Sequence, residues 1–261
     1  MGFVEADNGL VTTPNAGEGN ALRSDFLKLA EFAAPTGLQE LEALAVSATG
    51  SPEAGDTLAR RLGPAALTKA CMKQRALGAP SNKIAHAQLH RALSRSILSA
   101  VATLWLIRGE VPAGSAHESV RLADRPKEAR RPIAHFAAVR PGSISDCRAL
   151  VGLTIDVLNT ISLPKATIAP SLLASNNAIG LAAPFLVLRR HGAPEEPVRV
   201  GLMRFMEAIA PDLAPAIGWR HIDLSDAGEP NGVAMRPVRE TCCLKYTCVS
   251  RRFCGTCPKR V

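Results

Sequence analysis

The chain reads as a mainly α fold of the α+β type: a helical domain with a few short strands, followed by a small cysteine-bearing C-terminal segment. Three observations point there. Apolar residues recur every three or four positions over roughly 20–110 and again over 145–210, the period of a helix with one buried face. The 261 residues are 47% hydrophobic and 21% charged, enough to bury a full core. Five of the seven cysteines, at 242, 243, 248, 254 and 257, fall within the last 20 residues.

Residues 1–19 are polar, rich in Gly and Asn and without periodicity, and predict a flexible tail. Asn20 or Ser24 starts a first helix through Phe32, stopped by Pro35. Ser51-Pro52 predicts another helix start, a cap followed by a first-turn proline. Pro64 opens a third, ending near Gly78. The longest helix is expected from 82 to about 108, with Ile84, Leu93, Ile97, Val101, Leu104 and Trp105 as a buried stripe and with Gly109 and Pro112 ending it. Residues 119–123 and 133–139 lack helical caps and predict a short hairpin or edge strands. Helices follow at 145–161, at 165–190 with a break or kink at Pro184, and at 196–210. A short strand is expected at 219–224. The predicted division is therefore a tail over 1–19, an α-rich domain over 20–235 and a cluster-binding segment over 236–261.

The net charge is +8. From residue 236 onward there are seven basic residues (Arg236, Arg239, Lys245, Arg251, Arg252, Lys259, Arg260) and one acid, Glu240, so that short stretch carries +6 of it. The remainder is nearly neutral, and general nucleic-acid binding is not expected. The longest near-apolar runs, 97–107 and 178–188, are well short of the roughly 20 residues of a spanning helix, so no integral membrane segment is expected. Residues 1–7 show no basic region leading into an apolar one, so no signal peptide is expected and the expected location is cytoplasmic.

The chemistry lies in Cys242-Cys243, ten residues, Cys254, two residues, Cys257. Clustered cysteines without a secretion signal point to metal ligands before disulfides. Structural zinc sites pair two Cys-x2-4-Cys knuckles, and only Cys254-Gly255-Thr256-Cys257 is one. Adjacent thiolates suit a polynuclear cluster better than one small ion, and two irons bridged by two sulfides take four thiolates. Gly255 suits a tight turn and Pro258 ends the knuckle. A zinc ribbon and a disulfide pair remain open alternatives, as does Cys248 in place of Cys242.

Cys242-Cys243-Leu244-Lys245-Tyr246 and Cys254-Gly255-Thr256-Cys257-Pro258 resemble the C-terminal [2Fe–2S] signature of the FhuF-type ferric-siderophore reductase family. Residues 173–178, Leu-Ala-Ser-Asn-Asn-Ala, lie where that family often has Leu-Trp-Gly-Asn-x-Ala. The resemblance implies a [2Fe–2S] cluster on Cys242, Cys243, Cys254 and Cys257, and one-electron reduction of Fe(III) in an anionic siderophore. Fe(II) would then be released in the cytoplasm. No dinucleotide or phosphate-binding glycine motif is present in the sequence, so the electron donor is expected to be a protein such as a flavoprotein or ferredoxin. Lys245, Arg251, Arg252 and Lys259 flank the ligands and are expected to steer the anionic chelate, and the basic residues together to favour the reduced cluster. The alternative from another class is a non-catalytic electron carrier or a redox or iron sensor; a zinc-stabilised interaction protein is a further one.

Among weaker signals, His86 and His90 have the spacing of a metal pair but no acidic third ligand nearby, and two helix-surface histidines are expected. Cys71, Cys147 and Trp105 are expected in the core. Asn176 and Asn177 are either polar pocket groups or locally bonded helix-interior residues.

Overall fold

The computed structural model describes residues 16–49, 55–123, 132–160, 168–223, 233–248 and 254–258. Among them are ten α-helices and short strands, so the fold is mainly α with some β. Residues 16–19, expected in the tail, form the first turn of α1 (Ala16–Glu31). Gly19 lies against Ile144 so closely that a Cβ would come within 3.0 Å of it. Residues 1–15 lie outside the described residues.

Pro35, expected only as a stop, is the first residue of α2 (Pro35–Ala48), where its missing N–H is no loss. The start expected at Ser51-Pro52 lies outside the described residues. The chain resumes as β1 (Asp56–Thr57) and the one-turn helix α3 (Leu58–Arg61), capped by Thr57 Oγ1. α4 (Pro64–Ala76) opens at Pro64 as expected.

α5 (Asn82–Arg108) is the central helix. Ser81 Oγ caps its start, accepting from the Ile84 N–H at 3.3 Å. Gly109, at φ 67°, ends it in the left-handed conformation that glycine adopts without penalty. Its apolar residues face α1, α2 and α4 and, further along the chain, α7 (Ile144–Thr160), α8 (Pro170–Leu181) and α9 (Ala183–Arg190). α10 (Glu195–Ile209) closes the core, in which Phe185 meets Phe26 edge-on at 5.0 Å and Phe205 at 5.6 Å. Trp105 is a core residue beside Phe205, its Nε1 donating to the Gly142 carbonyl at 3.2 Å. Cys71 and Cys147 are buried core thiols, and burial pushes both pKa values up.

The break or kink expected within 165–190 is present: two helices lie there, bent by 55°. The break falls at Ala182, and Pro184 sits in the first turn of α9. Gly180 lets α8 approach α5: a Cβ there would stand 2.7 Å from the Ser94 carbonyl oxygen. Among the described residues no single helix is long and apolar enough to cross a membrane.

After the short helix α6 (Ala116–Ser119), the expected hairpin is present as β3 (Val120–Ala123) paired antiparallel with β4 (Ile133–Phe136), with β1 on the other edge of β3. Two further pieces, β2 (Glu110–Pro112) and β5 (Val139–Pro141), pair with each other. After α10, β6 (Ile217–Asp223) pairs antiparallel with β7 (Val233–Arg239), Ile217 facing Arg239. The boundary expected at 235/236 therefore falls inside β7, a strand of the helical domain's own hairpin.

Candidate metal centre

The end of β7 delivers the chain to the cysteines. Thr241 N–H donates to Ser175 Oγ of α8 at 3.2 Å. The Cys243 carbonyl accepts from Gln88 Nε2 of α5 at 2.5 Å, and Arg91 Nη1 donates to the Gln88 Oε1 at 3.0 Å. Leu244 then takes a left-handed conformation, φ 59°, without being glycine. Its side chain packs against the buried cluster of Ala87, Ile168 and Leu172. That apolar contact offsets the roughly 1–2 kcal/mol of the left-handed turn and fixes the direction in which Cys242 and Cys243 project.

The second half of the motif folds back onto β7. Cys257 N–H closes the knuckle on the Cys254 carbonyl at 3.0 Å, and Arg239 N–H donates to the Thr256 carbonyl at 3.1 Å. Gly255 has no left-handed φ, and a Cβ on it would meet nothing within 4 Å. Gly255 thus suits the turn, as expected, without being required by it.

These contacts bring Cys242, Cys243, Cys254 and Cys257 into one group. Cys243, Cys254 and Cys257 are buried, and Cys242 is half-exposed at the edge. Cys243 Sγ and Cys254 Sγ stand 3.6 Å apart. Two thiolates each about 2.3 Å from one tetrahedral metal would be separated by roughly 3.8 Å, so this pair has the spacing of co-ligands. Among the described residues no set of three or more His, Cys, Asp or Glu side chains converges on a single ion. None of the seven cysteines, all among the described residues, is in a disulfide. Cys248 is buried against the main core, apart from the other four.

The electrostatics favour a thiolate here. The Cys254 pKa is pulled far down, first by the Cys243 thiol that donates to it, then by Cys257, with Arg239 and Arg91 adding to the effect against burial. Cys243 is pushed up because it is the donor to Cys254 and because it is buried. Metal binding at these sulfurs would displace that proton.

Arg239 is the residue that the sequence pattern does not single out; it stands there as one of seven basic residues. It is 1% exposed. Its Nε donates to Thr256 Oγ1 at 3.2 Å, and its Nη1 to the Ser175 carbonyl at 3.3 Å and to Asn176 Oδ1. Burial depresses its pKa, the cysteines oppose that shift, and the nearby Arg91 adds to it. Beyond Arg239 the polar chain continues inward. Asn176 Nδ2 lies 3.1 Å from His90 Nδ1, Ser94 Oγ lies 3.3 Å from the same nitrogen and donates to Asn177 Oδ1 at 2.7 Å, and Asn177 Nδ2 donates to Asn159 Oδ1 at 3.2 Å. Asn176 and Asn177 are thus both buried, and their partners are distant in sequence. His90, expected on the helix surface, is fully buried; burial, with Arg239 nearby, holds its pKa down to about 4 against a raising contact from Asn159. His86 is half-buried and bonds locally to the Asn82 carbonyl at 2.9 Å, so the two histidines do not form a metal pair.

A signal for this network does exist in the sequence. His90 and Ser94 fall in step with Ile97 and Val101, on the apolar face of α5, where a polar side chain must find a buried partner. Of the expected steering residues, Lys245 is half-buried in a short 3-10 turn, Lys245–Thr247. Arg251, Arg252 and Lys259 lie outside the described residues.

The donor set fits a thiolate-bound anionic cluster. Four soft sulfurs are grouped, one is already biased toward thiolate, and a buried cation stands beside them. No family model, no curated protein and no solved structure matches the chain.

Proposed function

We propose that this chain is a cytoplasmic ferric-siderophore reductase whose [2Fe–2S] cluster is held by Cys242, Cys243, Cys254 and Cys257. The observation that carries the proposal is the grouping of these four cysteines beside a buried guanidinium, with only Cys242 open to the surface. When bound, such a cluster supplies electrons one at a time. Gln88 and Thr241 hold the first pair of cysteines, and the Arg239–Thr256 contacts hold the second. The half-exposed edge at Cys242 suits transfer to a bulky chelate without taking it into a pocket. Fe(III) in hydroxamate or catecholate oxygens accepts one electron and becomes Fe(II), which those hard donors hold more weakly, so the metal leaves. A reduced flavoprotein or ferredoxin returns the electron.

The test begins with anaerobic purification and assay of iron, acid-labile sulfide and zinc, together with visible and EPR spectra. About two irons and two sulfides per chain are expected. Reduced protein is then mixed with ferric hydroxamate chelates in the presence of a ferrous-specific chromogenic chelator, with ferricyanide as a general oxidant. Saturable release of Fe(II) is expected. Stoichiometric zinc without sulfide refutes the cluster, and unsaturable reduction of every oxidant alike leaves an electron carrier instead of a reductase.

A further inference from the structure

A guanidinium that is 1% exposed needs compensating negative charge, because an unpaired buried ion is strongly destabilising. Arg239 has none from a carboxylate among the described residues: its hydrogen-bond partners are the Thr256 hydroxyl, the Ser175 carbonyl and the Asn176 amide oxygen, all neutral. The groups whose negative charge would act on it are the cysteines once they are thiolates, Cys243 first, then Cys254 and Cys242. The neighbouring carboxylate, Glu240, is turned outward to Arg220 at 2.8 Å. A second cation, Arg91, is held toward the same cysteines through Gln88, whose amide grips the Cys243 carbonyl. Two arginines thus face the cysteine group from different elements, and one of them is locked in place by three side-chain hydrogen bonds.

We propose that Arg239, backed by Arg91, is the fixed counter-cation of the cluster site, a positioning residue that balances the anionic cluster and favours its reduced form. This rests on the [2Fe–2S] reading above. Two Fe(III), two sulfides and four thiolates carry a net charge of −2, and one electron from the donor protein makes it −3. A cation that neither moves nor loses its proton stabilises the second state more than the first. Since Arg239 is buried, its influence is not screened by salt, in contrast with that of exposed basic residues. Its contacts with Ser175 and Asn176 also make the cluster's charge balance depend on α8, which ties the C-terminal segment to the helical domain.

The experiment compares wild type with Arg239→Gln, Arg239→Lys and Arg91→Gln, all full-length and anaerobic. Iron and sulfide content, the EPR-monitored midpoint potential at low salt and at 1 M salt, and the circular dichroism of the metal-free form are read for each. Arg239→Gln is expected to lower the reduced-to-oxidised ratio at a fixed ambient potential more than tenfold, equivalent to about 59 mV for a one-electron couple. Arg239→Lys stays within threefold of wild type, Arg91→Gln falls between, and salt does not erase the Arg239 shift. A wild-type potential in both Gln variants overturns the proposal. If Arg239→Gln holds no cluster, Arg91→Gln and Arg239→Lys decide: an unshifted potential in Arg91→Gln, or loss of the cluster from a folded Arg239→Lys, overturns it. Zinc without sulfide in the wild type would instead refute the cluster reading itself, and this inference with it.

Discussion

Asn176 is where the charge of Arg239 is taken up inside the helical domain, and its replacement has a calculable effect. Asn176→Leu keeps the side chain's approximate size and removes the acceptor for Arg239 and the contact with His90 Nδ1. A hydrogen bond to a charged group contributes about 1.5–3 kcal/mol and a neutral one about 1 kcal/mol, so the loss should be roughly 2–4 kcal/mol. Against a total stability of about 5–15 kcal/mol that is large. At about 2–4 °C per kcal/mol for a chain of this size class, Tm should drop by roughly 4–16 °C. Asn176→Asp makes the opposite change, giving Arg239 a carboxylate. In the metal-free protein it should lose clearly less stability than Asn176→Leu, because an uncompensated cation gains a partner. With the cluster in place the extra negative charge competes for Arg239, so the same variant should take up less iron and sulfide than wild type. Calorimetry and urea titration of metal-free protein, with iron and sulfide assay after reconstitution, read all three effects. Equal metal-free stability for the Leu and Asp variants would refute the reasoning, since it would mean that Arg239 does not lack negative charge.

Further outcomes follow from single contacts. Cys248→Ser should leave the visible spectrum nearly unchanged, because that thiol sits in the main core, whereas Ser at Cys243, Cys254 or Cys257 should lose or badly weaken the cluster as a hard oxygen replaces a soft sulfur. For Leu244, urea titration should rank wild type above Leu244→Gly, and Leu244→Gly above Leu244→Ala. Alanine loses the packing against Ala87 and Leu172 and keeps the left-handed penalty, which glycine relieves. His90, held neutral with a pKa near 4 against 6.5 for a free side chain, takes up its proton more readily when unfolded, so its contribution is full above about pH 6.5 and is lost as pH falls toward 4. The loss should be about 3 kcal/mol, and a pH series of denaturation midpoints should show an acid slope that His90→Gln flattens.

The helices were largely legible because their signals are local. Pro64, Ser81 and Gly109 act on their own turns, and the spacing of Ile97, Val101 and Leu104 shows which face is buried. The misjudged elements have non-local causes. Pro35 suits a stop and a start equally, and the start prevailed because α2 has a buried face against α5 to complete. The break expected at Pro184 falls two residues earlier, at Ala182, since the proline is accommodated within the first turn of α9. At the site, the four cysteines announce themselves by spacing. Arg239, Gln88 and His90 do not, because a buried arginine and an exposed one look alike in sequence. Only the meeting of β7 with α8, and of the cysteine segment with α5, makes the difference.

That meeting changes what the C-terminal segment is. Read by spacing, the last residues form a separate metal-binding tail appended to a helical domain. In the fold, the strand that leads into the tail pairs with β6, the Cys243 carbonyl is held by a residue of α5, and Thr241 and Arg239 are held by α8. The knuckle in turn closes on Arg239 through both its backbone and the Thr256 hydroxyl. Each half of the cysteine motif is therefore positioned by the helical core, and the core's buried cation stands where a thiolate-bound cluster would balance it. Anything that binds only the folded state stabilises it by mass action. A thiolate-bound cluster at this place would accordingly stabilise α8 and its junction with α5, and disorder in that junction would release the cluster. The buried polar chain from Arg239 through Asn176 and His90 to Ser94 is the physical link that would make the two events one.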